Sequence, residues 1–322
     1  MTETTDLPLA DLQEYAQPIA PEDNMAEAGR KILLKEFIRM LKHESGSRTG
    51  TDIEDVHQMR VATRRMRSAF RLLDAYYRDK PTRPFARELK RIARRLGSVR
   101  DLDVMIEDLS TYNQSLAADT QPHLQPLFNK LEKRRQKARK KLVKYLDSKD
   151  YQSFIRNFTD FLTSPGSGTH PIQDESTPHQ VRHVLPTLIH EKLAAVRAYD
   201  TVAAEAPAPI LHALRIEFKR LRYTVEFFKG VLGSSASDYI SEIKVMQDYL
   251  GRLNDFHVAA VRLDSLMEDV SPDEEAHTAI QTYIDELQAK ESDLVANFYP
   301  AWEQFNKRTV QRKLSDALLV LR

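Results

Sequence analysis

The sequence predicts an all-α protein built from two copies of one helical unit. Composition is the first reason: Gly is scarce at 9 of 322 residues, and the abundant Leu, Ala, Arg, Lys and Glu favour helices. The second is the lack of any convincing strand alternation. The third is a stretch written twice, VHQMRVATRRMRSAFRLL at 56–73 and LHALRIEFKRLRYTVEFF at 211–228, an offset of 155. His57 falls on His212, Arg60 on Arg215, Arg64 on Lys219, Arg65 on Arg220 and Arg67 on Arg222. A second block repeats at an offset of 154: ELKRIARRLGSVRDLDVMIEDL at 88–109 and EIKVMQDYLGRLNDFHVAAVRL at 242–263. There Lys90, Gly97 and Asp101 recur as Lys244, Gly251 and Asp255.

The elements follow in order. Residues 1–24 hold three prolines, are acidic and show no sustained period, so they read as an N-terminal tail or a loosely docked segment. Residues 25–43 place Ile32, Leu33, Phe37, Met40 and Leu41 at helical spacing. ESGSRTGTD then reads as a loop. A second helix is expected over about 53–77, ended by the prolines of KPTRP. A third is expected from Phe85 toward Leu109, a fourth through LEKRRQKARKKLVKYL, and a short one near 150–162. The Gly-, Pro- and Ser-rich stretch at 163–180 has linker composition and lies where a duplication boundary belongs. It divides the chain into a first half at 25–162 and a second at 181–322. The second half is expected to carry helices at 181–204, 210–231, 237–268 and 274–298. An acidic turn (EDVSPDEE) precedes the last of these, and Pro300 separates it from a final helix.

Charge excludes several classes of function. Net charge is only +1, yet residues 57–100 carry 14 Lys/Arg against 3 Asp/Glu, and 130–144 carry 9 against 1. Residues 264–293 reverse the balance, 10 acidic to 1 basic. Such segregation creates local fields suited to an anionic ligand. The absence of Cys removes disulfides, thiolate metal sites and Cys nucleophiles. No apolar run reaches the roughly 18–20 residues that span a bilayer, and the acidic start lacks a signal-peptide pattern. A cytoplasmic protein is expected.

On a helical wheel with His57 at zero, Arg60, Arg64, Arg67 and Arg71 fall within about 80° of one face. Met59, Ala62, Met66, Ala69, Phe70 and Leu73 occupy an opposed apolar face at about 120–220°. His212, Arg215, Lys219 and Arg222 form the equivalent row, with Leu214, Leu221, Val225 and Phe228 on the core side. Glu226 replaces Arg71, so the second row is one cation shorter. Like charges at this spacing repel. A single such run usually is a solvated face with acidic neighbours, and a single His usually is a cap or a core hydrogen-bonder. The recurrence of both weighs toward a multivalent anion, which arginines in a row bind by repeated charge-assisted contacts. A His beside arginines should have a depressed pKa when the site is empty and a raised one when an anion fills it. Asp101 and Asp255 read as partners of nearby cations rather than catalysts, and Gly97 and Gly251 as points of close helix packing or a kink. The sequence has no GxxxxGK[ST], GxGxxG or HExxH motif. These donors suit holding an anion rather than cleaving it, so a non-catalytic binding protein without cofactor or metal is expected.

The motifs H-x-x-R-V-x-x-R-R-M-R at 57–67 and L-K-x-x-x-x-x-L-G-x-x-R-D-x-D-V at 89–104, with their second copies at 212–222 and 243–258, resemble the CHAD family, the conserved-histidine α-helical domains. The likeness extends over about residues 25–322. It implies two pseudo-symmetric antiparallel four-helix bundles, with a basic cleft or channel between them that binds inorganic polyphosphate. It also implies a stand-alone module, because no ExExK motif of a fused triphosphate-tunnel domain is present. The ligands it implies are His57, Arg60, Arg64, Arg67, Lys90, Arg94, Arg100, His212, Arg215, Lys219, Arg222 and Lys244. Arg30, Arg134 and Arg139 are weaker candidates. Asn254 and Asp248 depart from the pattern, leaving the second half with fewer ligands. The expected partners are inorganic polyphosphate and, with it, polyphosphate granules and their proteins, with no membrane. Nucleic-acid binding is the alternative, disfavoured because few aromatics interleave with the arginines. Polyphosphate processing is a weaker one.

Overall fold

Asn24 starts the first long helix: its side chain accepts from the Glu27 N–H at 2.8 Å, satisfying a donor that the helix end leaves open. The computed structural model describes residues 9–172, 174, 176–267 and 274–321. Among them every regular element is helical, and the only β contacts are two isolated bridges, Asn24 with Gln180 and Tyr77 with Thr169. The helices are α1 (Leu9–Glu14), α2 (Met25–Lys42), α3 (Glu44–Thr49), α4 (Ile53–Leu72), α5 (Asp79–Ser115), α6 (Gln125–Leu146) and α7 (Lys149–Thr163). Then follow α8 (Val181–Arg197), α9 (Ala208–Phe227), α10 (Ser235–Met267), α11 (Glu274–Ala296), α12 (Phe298–Phe305) and α13 (Arg308–Leu318). The all-α expectation holds.

Several boundaries differ from expectation, each for a physical reason. The loop expected after residue 43 contains α3, whose polar residues are held by an Arg48–Glu44 ion pair at 2.8 Å and by the Tyr151 hydroxyl donating to Glu44. Gly50 ends it in the left-handed region at φ 68°. The second helix stops at Leu72, short of the prolines. Pro81 instead lies in the first turn of α5, where the backbone N–H has no intrahelical acceptor to lose, while Pro84, the sixth residue, sits inside the helix without ending it. Pro300 likewise sits in the first turn of α12, and the last break falls at 306–307 instead. The acidic turn expected at 268–275 begins outside the described residues, as do residues 1–8 of the expected tail.

The chain divides into two compact units. The first consists chiefly of residues up to Asp101 with Gln136–Thr187; the second, of Leu102–Arg135 with Leu188–Val320. α5, α6 and α8 therefore contribute to both units. The core of the first unit is aromatic. Phe158 of α7 is fully buried, with ring centroids 5.1 Å from Phe37, 5.2 Å from Phe154 and 5.0 Å from Phe85. Met59, Ala62, Met66, Ala69, Phe70 and Leu73, the apolar face predicted for α4, are buried as well, and the Phe70 ring lies 6.1 Å from that of Phe158. The Gly-rich stretch after α7 docks on this unit: Arg78 N–H donates to the Gly168 carbonyl and His170 N–H to that of Tyr76. Residues 9–24 are also tied down, with Leu12 buried and Asp23 2.7 Å from Lys31.

In the second unit the predicted core face of α9 (Leu214, Leu221, Val225 and Phe228) is buried. Phe218 lies 4.9 Å from Phe305 and 6.2 Å from Trp302, centroid to centroid. A second cluster joins Leu109, Leu127 and Leu131 to Leu263, Ile280 and Ile284. Burying each of these side chains contributes roughly 1.5–3 kcal/mol, which fixes the rotation of α4 and α9 about their axes. With the apolar face turned inward, the row of His and Arg on each helix must face outward.

Candidate anion-binding rows

In the first unit, Asp52 caps α4 by accepting from the Glu54 N–H at 2.8 Å, and His57 follows one turn later. His57, Arg60, Arg64 and Arg67 are all half-buried. Burial pushes the His57 pKa down, and Arg100, Arg64 and Arg60 push it further; Glu54 alone opposes. Arg100 of α5 thus belongs to the field around His57. Burial, and then Arg71, also lowers the Arg67 guanidinium from its ordinary value.

The donors of this row are poorly satisfied. Arg64 Nε and one terminal nitrogen of Arg100 are buried without a hydrogen-bond acceptor. Among the described residues, Arg64, Arg67, Arg71, Lys90, Arg94 and Arg100 form no ion pair with a carboxylate, whereas Arg60 lies 3.1 Å from Asp101. Lys90 and Arg94 are exposed on α5, on the face that carries Gly97 and Asp101. A methyl group on Gly97 would sit 3.6 Å from Arg60 Nε, so this glycine lies beside the Arg60 head. Arg65 is not part of the row: it turns to the buried carboxylate of Glu36 on α2.

The second row is built differently. His212 of α9 is half-buried, and its Nε2 is buried without a partner. Its ring meets that of His257 on α10 edge to face, centroids 5.0 Å apart. His257 Nδ1 in turn lies 3.2 Å from the Glu291 carboxylate of α11. Burial, then His257 and Arg215, lower the His212 pKa, while Glu291 opposes. Arg215 Nε is buried without an acceptor. Lys219 is half-buried on the same face, and Lys244 is exposed on α10. Arg222 is the weakest member: its Nε lies 3.5 Å from Glu226, and its head rests 5.5 Å from the Tyr223 ring centroid.

The expected symmetry breaks at two further points. Asp101 meets Arg60, but Asp255 is exposed and its nearest polar partner is Asn254, at 3.4 Å. Gly251 has open space where a side chain would stand, so close packing does not explain it. Sequence reasoning also missed His257 and Glu291 as neighbours of His212. The repeat alignment put His257 opposite Asp103, but periodicity cannot bring a residue of α11 to α9. Of the weaker candidates, Arg30 is engaged structurally, pairing with Glu27 at 2.6 Å and donating to the Leu162 carbonyl, and Arg139 lies against the backbone at Gly50.

Among the described residues no cluster of His, Asp and Glu could hold a metal ion, and no helix is long and apolar enough to cross a membrane. The arrangement offers donors at fixed spacing, several of them buried without an acceptor: it can hold an anion with several oxygens.

Comparison with known proteins agrees with this architecture. The chain is similar to the CHAD domain of the plant Ricinus communis, whose crystal structure shares 24% identity and covers 93% of this chain and 94% of its own, with a TM-score of 0.71. It is also similar to PptA from Streptomyces chartreusis, at 14% identity over 88% of this chain and 100% of that one, TM-score 0.67. At these identities the likeness shows the fold alone. No curated protein matches the chain. A family model described as the CHAD domain matches residues 31–264, the stretch that carries both histidine rows and both repeated blocks, and the chain therefore belongs to the CHAD domain family.

Proposed function

We propose that this protein binds inorganic polyphosphate without catalysis, through His57, Arg60, Arg64, Arg67, Lys90, Arg94 and Arg100 in one unit and His212, Arg215, Lys219, Arg222 and Lys244 in the other. One observation carries the reading. Arg64, Arg100 and Arg215 each hold a buried N–H with no acceptor, and His212 Nε2 is buried without a partner. A buried unsatisfied donor costs about 1–3 kcal/mol, and neighbouring like charges add to that. A chain of phosphates supplies an acceptor and a negative charge at each position, offsetting both costs at once. Membership of the CHAD family supports the same reading. Recruitment to polyphosphate granules in the cytoplasm would follow from it.

The test is affinity for long-chain polyphosphate. Arg60→Ala/Arg215→Ala should bind at least tenfold more weakly than the parent, and unchanged binding overturns the assignment. Nucleic acid is the competing ligand. It should fail to displace polyphosphate at equal phosphate concentration, since the rows lack interleaved aromatic platforms for bases. Phosphate release on incubation with polyphosphate and divalent metal would contradict the non-catalytic reading.

A further inference from the structure

A second cationic concavity lies on another flank of α5. Arg91, Arg95, Lys141, Lys144, Tyr145 and Ser148 line a cavity of about 450 Å³, all within the first unit. Taking Gly97, which lies beside Arg60, as zero on α5, Lys90, Arg94 and Asp101 fall within about 60° of it, while Arg91 and Arg95 fall at about 120° and 160°. The cavity is therefore separate from the His57 row.

The cavity's lining includes four cations and no carboxylate. The acidic groups nearby are already engaged. Glu88 accepts from the Tyr145 hydroxyl and lies 3.6 Å from Arg91; Asp150 lies 2.9 Å from Arg91 and opens onto a different cavity with Phe85 and Phe154. Arg91 is fixed further by resting 5.0 Å over the Tyr145 ring, so it acts as a wall. Arg95, Lys141 and Lys144 form no ion pair among the described residues. Lys141 and Lys144, three residues apart on α6, face the same way, and their mutual repulsion is uncompensated. Tyr145 is buried beneath Arg91 and cannot stack on a base.

We propose that this cavity is a second anion site, which takes a compact multivalent phosphate such as a short inorganic phosphate chain. Arg95 supplies a planar donor fork, and Lys141 and Lys144 supply point charges on the opposite wall. The inference rests on the reading above only for its choice of phosphate as ligand, because no residue is shared with the row.

Lysine acetylation footprinting of the full chain, with and without tripolyphosphate, tests it residue by residue. Tripolyphosphate should slow acetylation of Lys141 and Lys144, while the exposed Lys229 of the second unit reacts as before. Arg95→Ala should raise the tripolyphosphate concentration that half-protects Lys141 by about tenfold. Lys144→Gln, an exposed substitution that spares the core, should do the same on Lys141. Arg60→Ala/Arg64→Ala should leave this protection intact. Equal protection of Lys229, or no protection of Lys141 and Lys144, overturns the second site. The row is judged separately, by long-chain affinity in Arg60→Ala/Arg215→Ala.

Discussion

His212 and His257 stand edge to face with ring centroids 5.0 Å apart, and Glu291 holds the far side of the pair through His257. The protein therefore favours a neutral His212, with Arg215 adding to the effect of burial and of His257. His57 is held down by burial, Arg100, Arg64 and Arg60. A folded pKa below the unfolded value means that the unfolded chain binds more protons. Stability of the ligand-free protein should be fully present above about pH 6.5 and fall as pH drops through the depressed values. Denaturant melts between pH 5 and 8 check this, and His212→Gln should flatten the slope.

Anion binding reverses the sign. A phosphate beside each ring favours the charged imidazolium, so binding should take up protons and tighten as pH falls from 8 to 6. Calorimetry of polyphosphate binding in buffers of different ionisation enthalpy reads the proton uptake directly. A binding enthalpy independent of buffer would show that neither histidine couples to the ligand.

The Arg60–Asp101 pair sets up an opposite test. Both side chains are partly exposed, so the pair contributes at most about 1 kcal/mol to stability. On the proposed reading, Asp101 would compete with phosphate for the Arg60 head. Asp101→Asn should tighten polyphosphate binding several-fold with little change in melting temperature. Weaker binding would mean that Asp101 positions Arg60 rather than competes for it.

Much of this was legible in the sequence, for reasons that individual residues make plain. The core and cationic faces of α4 could be read because an amphipathic helix writes its two faces with one period, and Met59, Met66 and Phe70 are buried where that period put them. What stayed hidden depends on tertiary contacts. α3 has loop-like residues and is held by Glu44, which meets Arg48 on its own helix and Tyr151 on α7. Pro81 and Pro300 read as breaks because local rules do not say how near a helix start they lie. The His257–Glu291 pair joins residues 34 apart, on two helices whose packing no repeat encodes. Nor does the repeat predict that Asp101 finds an arginine while Asp255 does not.

Two glycines should respond oppositely to alanine. Gly168 has φ 69°, and a methyl group there would lie 2.7 Å from the Phe161 ring, so Gly168→Ala should destabilise by about 1–2 kcal/mol. Gly251 lies inside α10 with open space around it, so Gly251→Ala should stabilise by about 0.5–1 kcal/mol through helix propensity alone. Urea titrations of both variants decide. A destabilised Gly251→Ala would reveal a constraint on α10 that its packing does not show.

Binding and folding rest on different side chains of the first unit. Phe158 is enclosed by Phe37, Phe85 and Phe154, so Phe158→Ala should cost about 3–5 kcal/mol through the cavity it leaves. Arg64 is the reverse case: it has no carboxylate partner, and its Nε is buried without an acceptor. Arg64→Met keeps the apolar stem and removes both the repulsion and the unsatisfied donor. The ligand-free variant should be as stable as the parent or a few tenths of a kcal/mol more stable. Its polyphosphate affinity should nevertheless fall about tenfold, and the slope of log affinity against log salt should shrink by roughly one ion. Denaturation and salt titrations on the same variant measure the two effects. Loss of stability together with binding would make Arg64 a structural residue, whereas loss of binding alone fits a charge kept for its ligand at some cost to the fold.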